Sequence, residues 1–292
     1  MFENSNEPVA VLKILNKGIY CALQDAGRFG YRHLGVPCSG AMDRYSLMYV
    51  NNQLNNPVNA PVLEVAGNGF TFIALRDVLL FFSGAGCEIT VDSFRSETSA
   101  LIKLNGGQTL KIEKINVGAR VYIGIKGGFC ASPVMDSIST LEGTHLRELK
   151  KNEFIFSKNV SLLKEKKNGH LKKFKINKNQ KIYVSPGPEF AFLTEDSIKL
   201  VLSEHFLITK NSNRMGYRLF GKPLSSHIGN EILTSSVMPG TVQLLPDGQL
   251  IALMRDCQTT GGYPRILQIE ESGINQLAQR LPGEEVVFQI NL

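Results

Sequence analysis

Short apolar runs rich in Val, Ile, Leu and Phe recur along the chain, separated by Gly, Asn, Asp or Pro. Runs of this length and composition, bounded by turn-forming residues, predict β-strands. The predicted strands are 9–15, 18–23, 70–74, 78–82, 88–91, 100–104, 120–125, 181–184, 205–208, 240–244, 250–254 and 286–290. Many short strands at this spacing are typical of closed or sandwiched antiparallel sheets, so we expect a mainly β (α+β) fold.

Two segments carry the features of helices instead. The first is 43–54, which ends at the turn-forming sequence Asn55-Asn56-Pro57. The second has apolar side chains at positions i, i+3, i+4 and i+7, namely Ile274, Leu277, Ala278 and Leu281. We expect Ser272 to cap this second helix and Pro282-Gly283 to end it.

A ten-residue repeat suggests that one β-rich unit is present twice. Residues 28–37 align without gaps on 214–223, with six identities at an offset of 186 positions. We therefore predict an N-terminal lobe over 1–163, a basic connector over 164–180 and a C-terminal lobe over 181–292. The length of 292 residues, about twice that of an average domain, agrees with two lobes.

The composition is that of an ordinary folded protein, with 43% hydrophobic and 20% charged residues, which argues against disorder. The formal net charge of +6 is concentrated in the lysine-rich stretch 164–181, so the rest of the chain is close to neutral. A nucleic-acid-binding face needs Lys and Arg spread over a folded surface. We therefore expect no nucleic-acid partner and interpret the stretch as a solvated connector.

The cysteines indicate neither a disulfide framework nor a zinc site. They are far apart and form no Cys-x-x-Cys pair: Cys21, Cys38, Cys87, Cys130 and Cys257. We accordingly predict no metal site and a reduced, cytoplasmic location. The N-terminus lacks the features of a signal peptide and the apolar runs are of strand length, so we expect no membrane association.

Charged and amide side chains cluster after the second predicted strand and before the first helix, at Gln24, Asp25, Arg28, Asp43 and Arg44. One interpretation is local, with Asp43 as a helix cap and nearby glycines in tight turns. The other is functional, because carboxylates and guanidinium groups on loops bind small anionic or amide substrates. The spacing alone leaves both open.

A second polar cluster follows the predicted strand 250–254. Amide and hydroxyl side chains precede two glycines and a tyrosine in the order Gln258, Thr259, Thr260, Gly261, Gly262 and Tyr263. The glycines allow a ligand to approach the backbone, and the side chains can orient an amide or a phosphate. This favours a binding site over a plain turn. The histidines are scattered, and no arrangement for a covalent nucleophile is visible.

Taken together, the sequences at 23–31, 33–37, 39–43, 212–219, 239–243 and 258–264 resemble the carboxyltransferase subdomain A/B family. Its members include the C subunit of bacterial 5-oxoprolinase (KipA-type, allophanate hydrolase subunit 2-like proteins) and the equivalent domain of urea carboxylase. The resemblance covers nearly the whole chain. It implies that the two lobes are cyclophilin-like β-barrels related by internal duplication.

The resemblance also implies an activity: ATP-dependent opening of the 5-oxoproline lactam to glutamate, together with a KipI-type B subunit and an A subunit. Phosphoryl transfer from ATP, with or without Mg²⁺, would turn the lactam oxygen into a better leaving group. Two alternatives are a biotin-dependent carboxyltransferase acting on a urea-like amide and a regulatory protein that binds a kinase inhibitor. Since the chain has no Met-Lys-Met sequence, biotin would come from another protein.

We assign hypothetical roles within this framework. The candidate catalytic residues are Asp25, Asp43, Arg214, Gln258 and Thr259. The candidate substrate-binding residues are Gln24, Arg28, Ser39, Arg44, Gln243, Thr260, Gly261, Gly262 and Tyr263. In this hypothesis the arginines neutralise phosphate or carboxylate, the amides orient the substrate, and an Asp handles a proton or a metal.

Two positions depart from the family pattern. The family usually has Gly-Ser-Arg-Ser-Thr where this chain has Asp136-Ser-Ile-Ser-Thr140, and Asp where this chain has Asn213. If the missing arginine binds substrate in relatives, we expect altered specificity or activity here.

Overall fold

The structure is a computed structural model that describes residues 7–96, 101–158, 176–177, 179–228 and 231–290. The described residues form two compact units, one from Met1–Gly27 and Asp43–Ile176 and the other from Arg28–Met42 and Asn177–Leu292. The predicted connector, 164–180, lies outside the described residues except at 176, 177, 179 and 180.

The segment Arg28–Met42 departs from the predicted lobe boundaries, because the structure groups it with the second unit and not with the rest of 1–163. Backbone and side-chain contacts explain this. The Ser39 N–H donates to the Arg255 carbonyl at 3.0 Å, and the Met42 side chain is fully buried in the second unit's core. The segment is irregular apart from a 3-10 turn at Arg32–Leu34, so no periodic pattern marks it in the sequence.

The first unit is a curled antiparallel sheet, which confirms the mainly β prediction. Its strands are β1 (Val9–Asn16), β2 (Tyr20–Gln24), β3 (Val62–Ala66), β4 (Thr71–Ala74), β5 (Val78–Val91), β6 (Phe94–Ser96), β7 (Ile102–Leu104), β8 (Thr109–Ile125) and β9 (Phe154–Ser157). The sheet runs in the order β2-β3-β8-β4-β1-β9, and β5 pairs with β6, β7 and β8. Alternate side chains point inward and form an apolar core.

The strands β5 and β8 are longer than predicted, at 14 and 17 residues. The sequence analysis predicted two separate strands, 78–82 and 88–91, with Gly84 and Gly86 in the break between them. In the structure they are bulges, since the pairing register shifts between Gly84 and Gly86, and Gly84 has a φ of 83°. A glycine at a bulge lets a strand bend without ending the ladder.

The predicted helix at 43–54 is α1 (Arg44–Leu54), with Asp43 as its N-cap residue. The helix packs closely on β8 at Gly124. A Cβ atom at Gly124 would lie 2.4 Å from Val50 Cγ1 and 2.8 Å from Leu54 Cδ1. The missing side chain therefore sets how closely the helix approaches the sheet.

The second unit contains a second antiparallel-rich sheet with one parallel pair. Its strands are β10 (Ile182–Pro186), β11 (Phe206–Ile208), β12 (Gly216–Phe220), β13 (Ser235–Ser236), β14 (Thr241–Leu244), β15 (Leu250–Leu253), β16 (Thr260–Gly261), β17 (Arg265–Ile269), β18 (Glu285–Val286) and β19 (Phe288–Ile290). The main sheet runs β18-β11-β12-β15-β14-β17-β10-β19, with β10 and β19 parallel. The short strands β13 and β16 pair separately.

The helices of the second unit differ from the predictions. The helix α2 (Glu195–Ser203) was missed, although Thr194 caps it through the Ser197 N–H and acidic residues fill its first turn. The helix α3 (Glu271–Ala278) is where the apolar periodicity placed a helix, but it begins earlier than expected. Its N-cap position is Glu270, so the assignment of Ser272 as the cap is wrong.

The two copies of the ten-residue repeat differ in local structure. Both copies, 28–37 and 214–223, belong to the second unit. The first copy is a loop with the 3-10 turn Arg32–Leu34, whereas the second contains the strand β12. The two copies therefore have different secondary structure, and the mainly β fold that the repeat supported is confirmed. Among the described residues, no helix is long and apolar enough to cross a membrane.

Candidate functional site

In the first unit, Asp25 follows β2 and binds the loop 137–140. Its Oδ1 accepts hydrogen bonds from Ser137 Oγ at 2.7 Å, Ser139 Oγ at 2.5 Å and the Gly27 N–H at 2.8 Å. Its Oδ2 accepts the Ile138 N–H at 2.8 Å. The carboxylate therefore ties the end of β2 to a loop more than a hundred residues further along the chain.

Gln24 lies beside this junction and is fully buried. Its Nε2 donates to the Tyr20 hydroxyl at 2.9 Å and to Thr140 Oγ1 at 3.0 Å. Tyr20 and Gln24 point to the same face of the sheet because they are four residues apart on β2. The structure thus brings Gln24, Asp25 and the loop 137–140 into one polar cluster, of which the sequence analysis had singled out only the first two as site residues.

Asp43 serves as the cap of α1, in agreement with the local interpretation of this position. Its carboxylate accepts the Ser46 N–H at 3.0 Å and the Ser46 hydroxyl at 2.6 Å. The Asp43 N–H donates to the Tyr122 hydroxyl at 2.8 Å, which donates in turn to Glu64 Oε2 at 2.9 Å. Asp43, Glu64 and Tyr122 are each completely buried. Arg44 is the first residue of the helix and is partly buried.

The Glu64–Tyr122 pair was missed by the sequence analysis. Burial, together with the negative charge of Glu64, raises the pKa of Tyr122 well above its ordinary value. The phenol therefore stays protonated and remains a hydrogen-bond donor. A glutamate within the apolar run of β3 was the available signal, since a buried charge needs a polar partner.

In the second unit, two buried or partly buried arginines hold the segment that precedes α1. Arg214 pairs with Asp256 and also donates through Nη2 to the Gly40 carbonyl at 2.6 Å. Arg255, which is 1% exposed, pairs with Glu271 and donates through Nε to the Met42 carbonyl at 3.3 Å.

Ser39, with a left-handed φ of 53°, lies in this segment. The sequence analysis missed Arg255. The candidate Arg28 is also almost completely buried.

The second polar cluster surrounds the short ladder of β13 and β16. Gln258 and Thr260 are exposed, whereas Thr259, Gly261, Gly262 and Tyr263 are partly buried. Gln243, 1% exposed, donates from Nε2 to the Tyr263 carbonyl at 3.1 Å. A Cβ atom on Gly261 would lie 2.8 Å from Gln243 Nε2. The structure therefore brings Gln243 together with 261–263, as one hydrogen-bonded corner with accessible amide and hydroxyl groups beside it.

The thiol next to this corner is buried and lacks the low pKa that a reactive cysteine needs. Burial raises the pKa of Cys257 to about 11, and the nearby Arg32 guanidinium only partly opposes the shift. Arg32 donates through Nη2 to the carbonyls of Val237 and Thr259. Arg32 thus fixes the backbone at Thr259, a role that the sequence analysis did not foresee.

The candidate residues fall into separate sets. Gln24, Asp25, Asp43 and Arg44 belong to the first unit; Arg28, Ser39, Arg214, Gln243 and 258–263 belong to the second. Within the described parts of the chain, no group of three or more His, Cys, Asp or Glu side chains is arranged to hold a metal ion.

The curled sheets of the two units define a carboxyltransferase-type β-protein. The chain is similar to the crystal structure of the Kluyveromyces lactis urea carboxylase, with a TM-score of 0.86 and 25% identity, over 99% of this chain and 28% of that one. It belongs to the family of the carboxyltransferase domain, subdomain A and B, whose family model matches residues 34–290.

Two further comparisons give the range of the similarity. The chain is 34% identical over 286 residues to the 5-oxoprolinase C subunit of Escherichia coli strain K12, and the match covers 95% of this chain and 90% of that protein. It matches the crystal structure of TTHA0988 with a TM-score of 0.85 and 26% identity, over 97% of this chain. It spans only 56% of the TTHA0988 chain, so it corresponds to about half of that solved structure.

Proposed function

We propose that this chain is the C subunit of an ATP-dependent 5-oxoprolinase that opens the 5-oxoproline lactam to glutamate. The observation that carries the proposal is the similarity to the C subunit of the Escherichia coli 5-oxoprolinase, which extends over 90% of that protein. In this proposal the chain works with a KipI-type B subunit and an A subunit, and the assembled complex consumes ATP.

Within the complex, we assign this chain the recognition of the amide substrate. Both polar clusters contain amide and hydroxyl groups. Such groups suit the neutral amide part of a substrate better than a charged part. Arg214 does not fit the role of a phosphate ligand, because Asp256 and the Gly40 carbonyl already accept its hydrogen bonds. In this proposal Arg214 is therefore structural and takes no part in the ATP chemistry.

Reconstitution tests this proposal. The chain is co-expressed with its B and A subunits, and the release of glutamate and ADP from 5-oxoproline and ATP is measured. We expect release that depends on 5-oxoproline and stops when this chain is omitted. Unchanged release without the chain would show that it is not part of the enzyme.

A second candidate function is that of a carboxyltransferase acting on a urea-like amide. It is favoured by the structural similarity to the Kluyveromyces lactis urea carboxylase, but that similarity covers only 28% of the relative. The test supplies a biotin carboxylase, a biotinylated carrier protein and urea, and measures ATP consumption that depends on urea. Activity in this assay and none with 5-oxoproline would favour the second function over the first.

A further inference from the structure

Three groups of the loop 137–140 donate hydrogen bonds to one acceptor, the Asp25 carboxylate. Four donors converge on the Asp25 carboxylate, three of them from this loop: the hydroxyls of Ser137 and Ser139 and the Ile138 N–H. In addition, the Asp25 N–H donates to Ser139 Oγ at 3.0 Å. The hydrogen bonds of this carboxylate therefore go to the backbone and to hydroxyl groups of the loops around it.

The backbone that enters this loop is strained. Met135 and Asp136 are consecutive residues other than glycine with left-handed φ angles of 51° and 58°. Such residues are uncommon in this region, and they persist only where surrounding contacts impose them. The Asp25 carboxylate supplies such contacts directly after the strained pair.

Gln24 has one unmet hydrogen-bonding group beside the loop. The side chain is 0% exposed, and its Nε2 donates to the Tyr20 and Thr140 hydroxyls. Its Oε1 has no hydrogen-bond partner among the described residues. A buried amide oxygen without a partner is unfavourable, so its presence points to a donor that arrives with a ligand. Tyr20 and Thr140 are only partly buried and connect Gln24 to the molecular surface.

We propose that Gln24 Oε1 accepts the ring N–H of the lactam substrate, and that Asp25 is a positioning residue that holds the loop 137–140, and with it Thr140, against Gln24. This proposal rests on the proposed function, because it names the part of the chain that recognises the substrate's amide. It replaces the hypothesis that Asp25 carries a proton.

The first test compares two ligands that differ only in the N–H group. Without ATP, so that no turnover occurs, calorimetry measures the binding of 5-oxoproline and of its γ-lactone analogue to the reconstituted complex. The lactone has a ring oxygen in place of the N–H. We expect the complex to bind the lactam at least about tenfold more tightly than the lactone, since a site that accepts a hydrogen bond rejects a ligand without the donor.

The variant Gln24→Met keeps the side-chain length and removes the amide, with both the Oε1 acceptor and the Nε2 donor. We expect it to bring the lactam-to-lactone ratio close to one while changing lactone binding little. Gln289→Met, the same change at an exposed position of β19, is the matched control and should keep the ratio. An unchanged lactam-to-lactone ratio in Gln24→Met would overturn the proposal, whether or not both ligands bind more weakly.

The second test concerns Asp25. In the isolated chain, hydrogen exchange of peptides that span 137–140 should speed up in Asp25→Asn. The NH₂ group of the asparagine replaces one carboxylate oxygen and cannot accept the hydrogen bonds that the loop donates to that oxygen. In the complex, Asp25→Asn should reduce the lactam-to-lactone ratio and leave the shape of the kcat pH profile unchanged. Unchanged exchange, or loss of one limb of the pH profile, would contradict the positioning role.

Activity of the unmodified complex separates the two proposals. If it releases glutamate from 5-oxoproline but the ratio does not respond to Gln24→Met, only the assignment of Gln24 and Asp25 fails. If it neither binds 5-oxoproline nor releases glutamate, the proposed function fails and the assignment falls with it.

Discussion

Arg214 and Asp256 form a bidentate ion pair in the second unit. Arg214 Nε lies 2.7 Å from Asp256 Oδ2, and Nη2 lies 3.0 Å from Oδ1. Both side chains are largely buried, with 13% and 21% of their surfaces exposed. Because Nη2 also donates to the Gly40 carbonyl, the pair fixes the backbone of the segment Arg28–Met42.

Breaking this pair should destabilise the second unit. We expect Asp256→Asn to lower the free energy of unfolding by about 2 kcal/mol, because it leaves the guanidinium with a weaker acceptor. Urea denaturation measures the effect. Glu204→Gln is the matched control, because its pair with Lys222 is longer, at 3.7 Å, and Lys222 is 73% exposed. A loss for Asp256→Asn no larger than that of the control would refute the structural role of the pair.

Close packing of α1 on β8 gives a second prediction. Gly124→Ala should lower the free energy of unfolding by about 1–3 kcal/mol, since the new Cβ would overlap Val50 and Leu54. Gly86→Ala is the control on the partner strand. There the nearest atom to an added Cβ is 3.8 Å away, so we expect a change below about 0.5 kcal/mol. Equal losses for both variants in urea titrations would show that helix packing is not the cause.

The stability of the protein should depend on pH through the ionisation of Glu189. Hydrogen bonds from the Arg265 guanidinium, at 2.7 and 2.9 Å, lower the pKa of Glu189 below its usual value of 4.5. Since the folded pKa lies below the unfolded one, the pair stabilises the protein above about pH 4.5 and loses this effect as the pH falls through the folded pKa.

We therefore expect Glu189→Gln to reduce the free energy of unfolding by about 1–2 kcal/mol at pH 7 and by progressively less towards pH 3. Urea titrations of both proteins between pH 7 and pH 3 measure the difference. Glu148→Gln is the matched control, because its pair with Lys17 is exposed, and we expect it to change the free energy of unfolding by less than about 0.5 kcal/mol. A constant difference between Glu189→Gln and the wild type at all pH values would contradict the assignment.

The side chains of Gln258, which is exposed, and Thr259, which is partly buried, yield a prediction on activity. In the reconstituted complex, replacing both Gln258 and Thr259 by Ala should lower the turnover of 5-oxoproline at least about tenfold while leaving the assembly intact. Gln289→Ala is the control for an exposed glutamine in the same unit. Normal turnover of the double variant would show that these two side chains take no part in the reaction.

The sequence predicted the strands well where apolar runs were short and bounded by turn residues, as at β1, β10 and β14. The strand prediction failed at Gly84 and Gly86, which lie at a β-bulge. From the sequence, glycines at a bulge cannot be distinguished from glycines in a turn. The strand prediction also missed β3, where the buried Glu64 interrupts the apolar run and needs a partner that only the folded sheet supplies.

The candidate site was foreseen in part. The groups at 24–25 and at 258–263 lie at strand ends, where local sequence is informative. The partners of Asp25 were not foreseen, because Ser137 is 112 positions further along the chain and no local pattern links the two. Arg214 was predicted to bind anions, and in the structure it pairs with Asp256. The sequence did not indicate this pair, because Asp256 is 42 positions away and no local pattern links the two residues.

The placement of Arg28–Met42 in the second unit bears on how the protein is made. During synthesis this segment leaves the ribosome early, whereas Arg214 and Arg255, which hold its backbone, are added much later. The second unit therefore cannot complete its fold until most of the chain exists. For the same reason, a fragment that starts after residue 163 lacks a part of the second unit, and the two units cannot be separated by one cut between them.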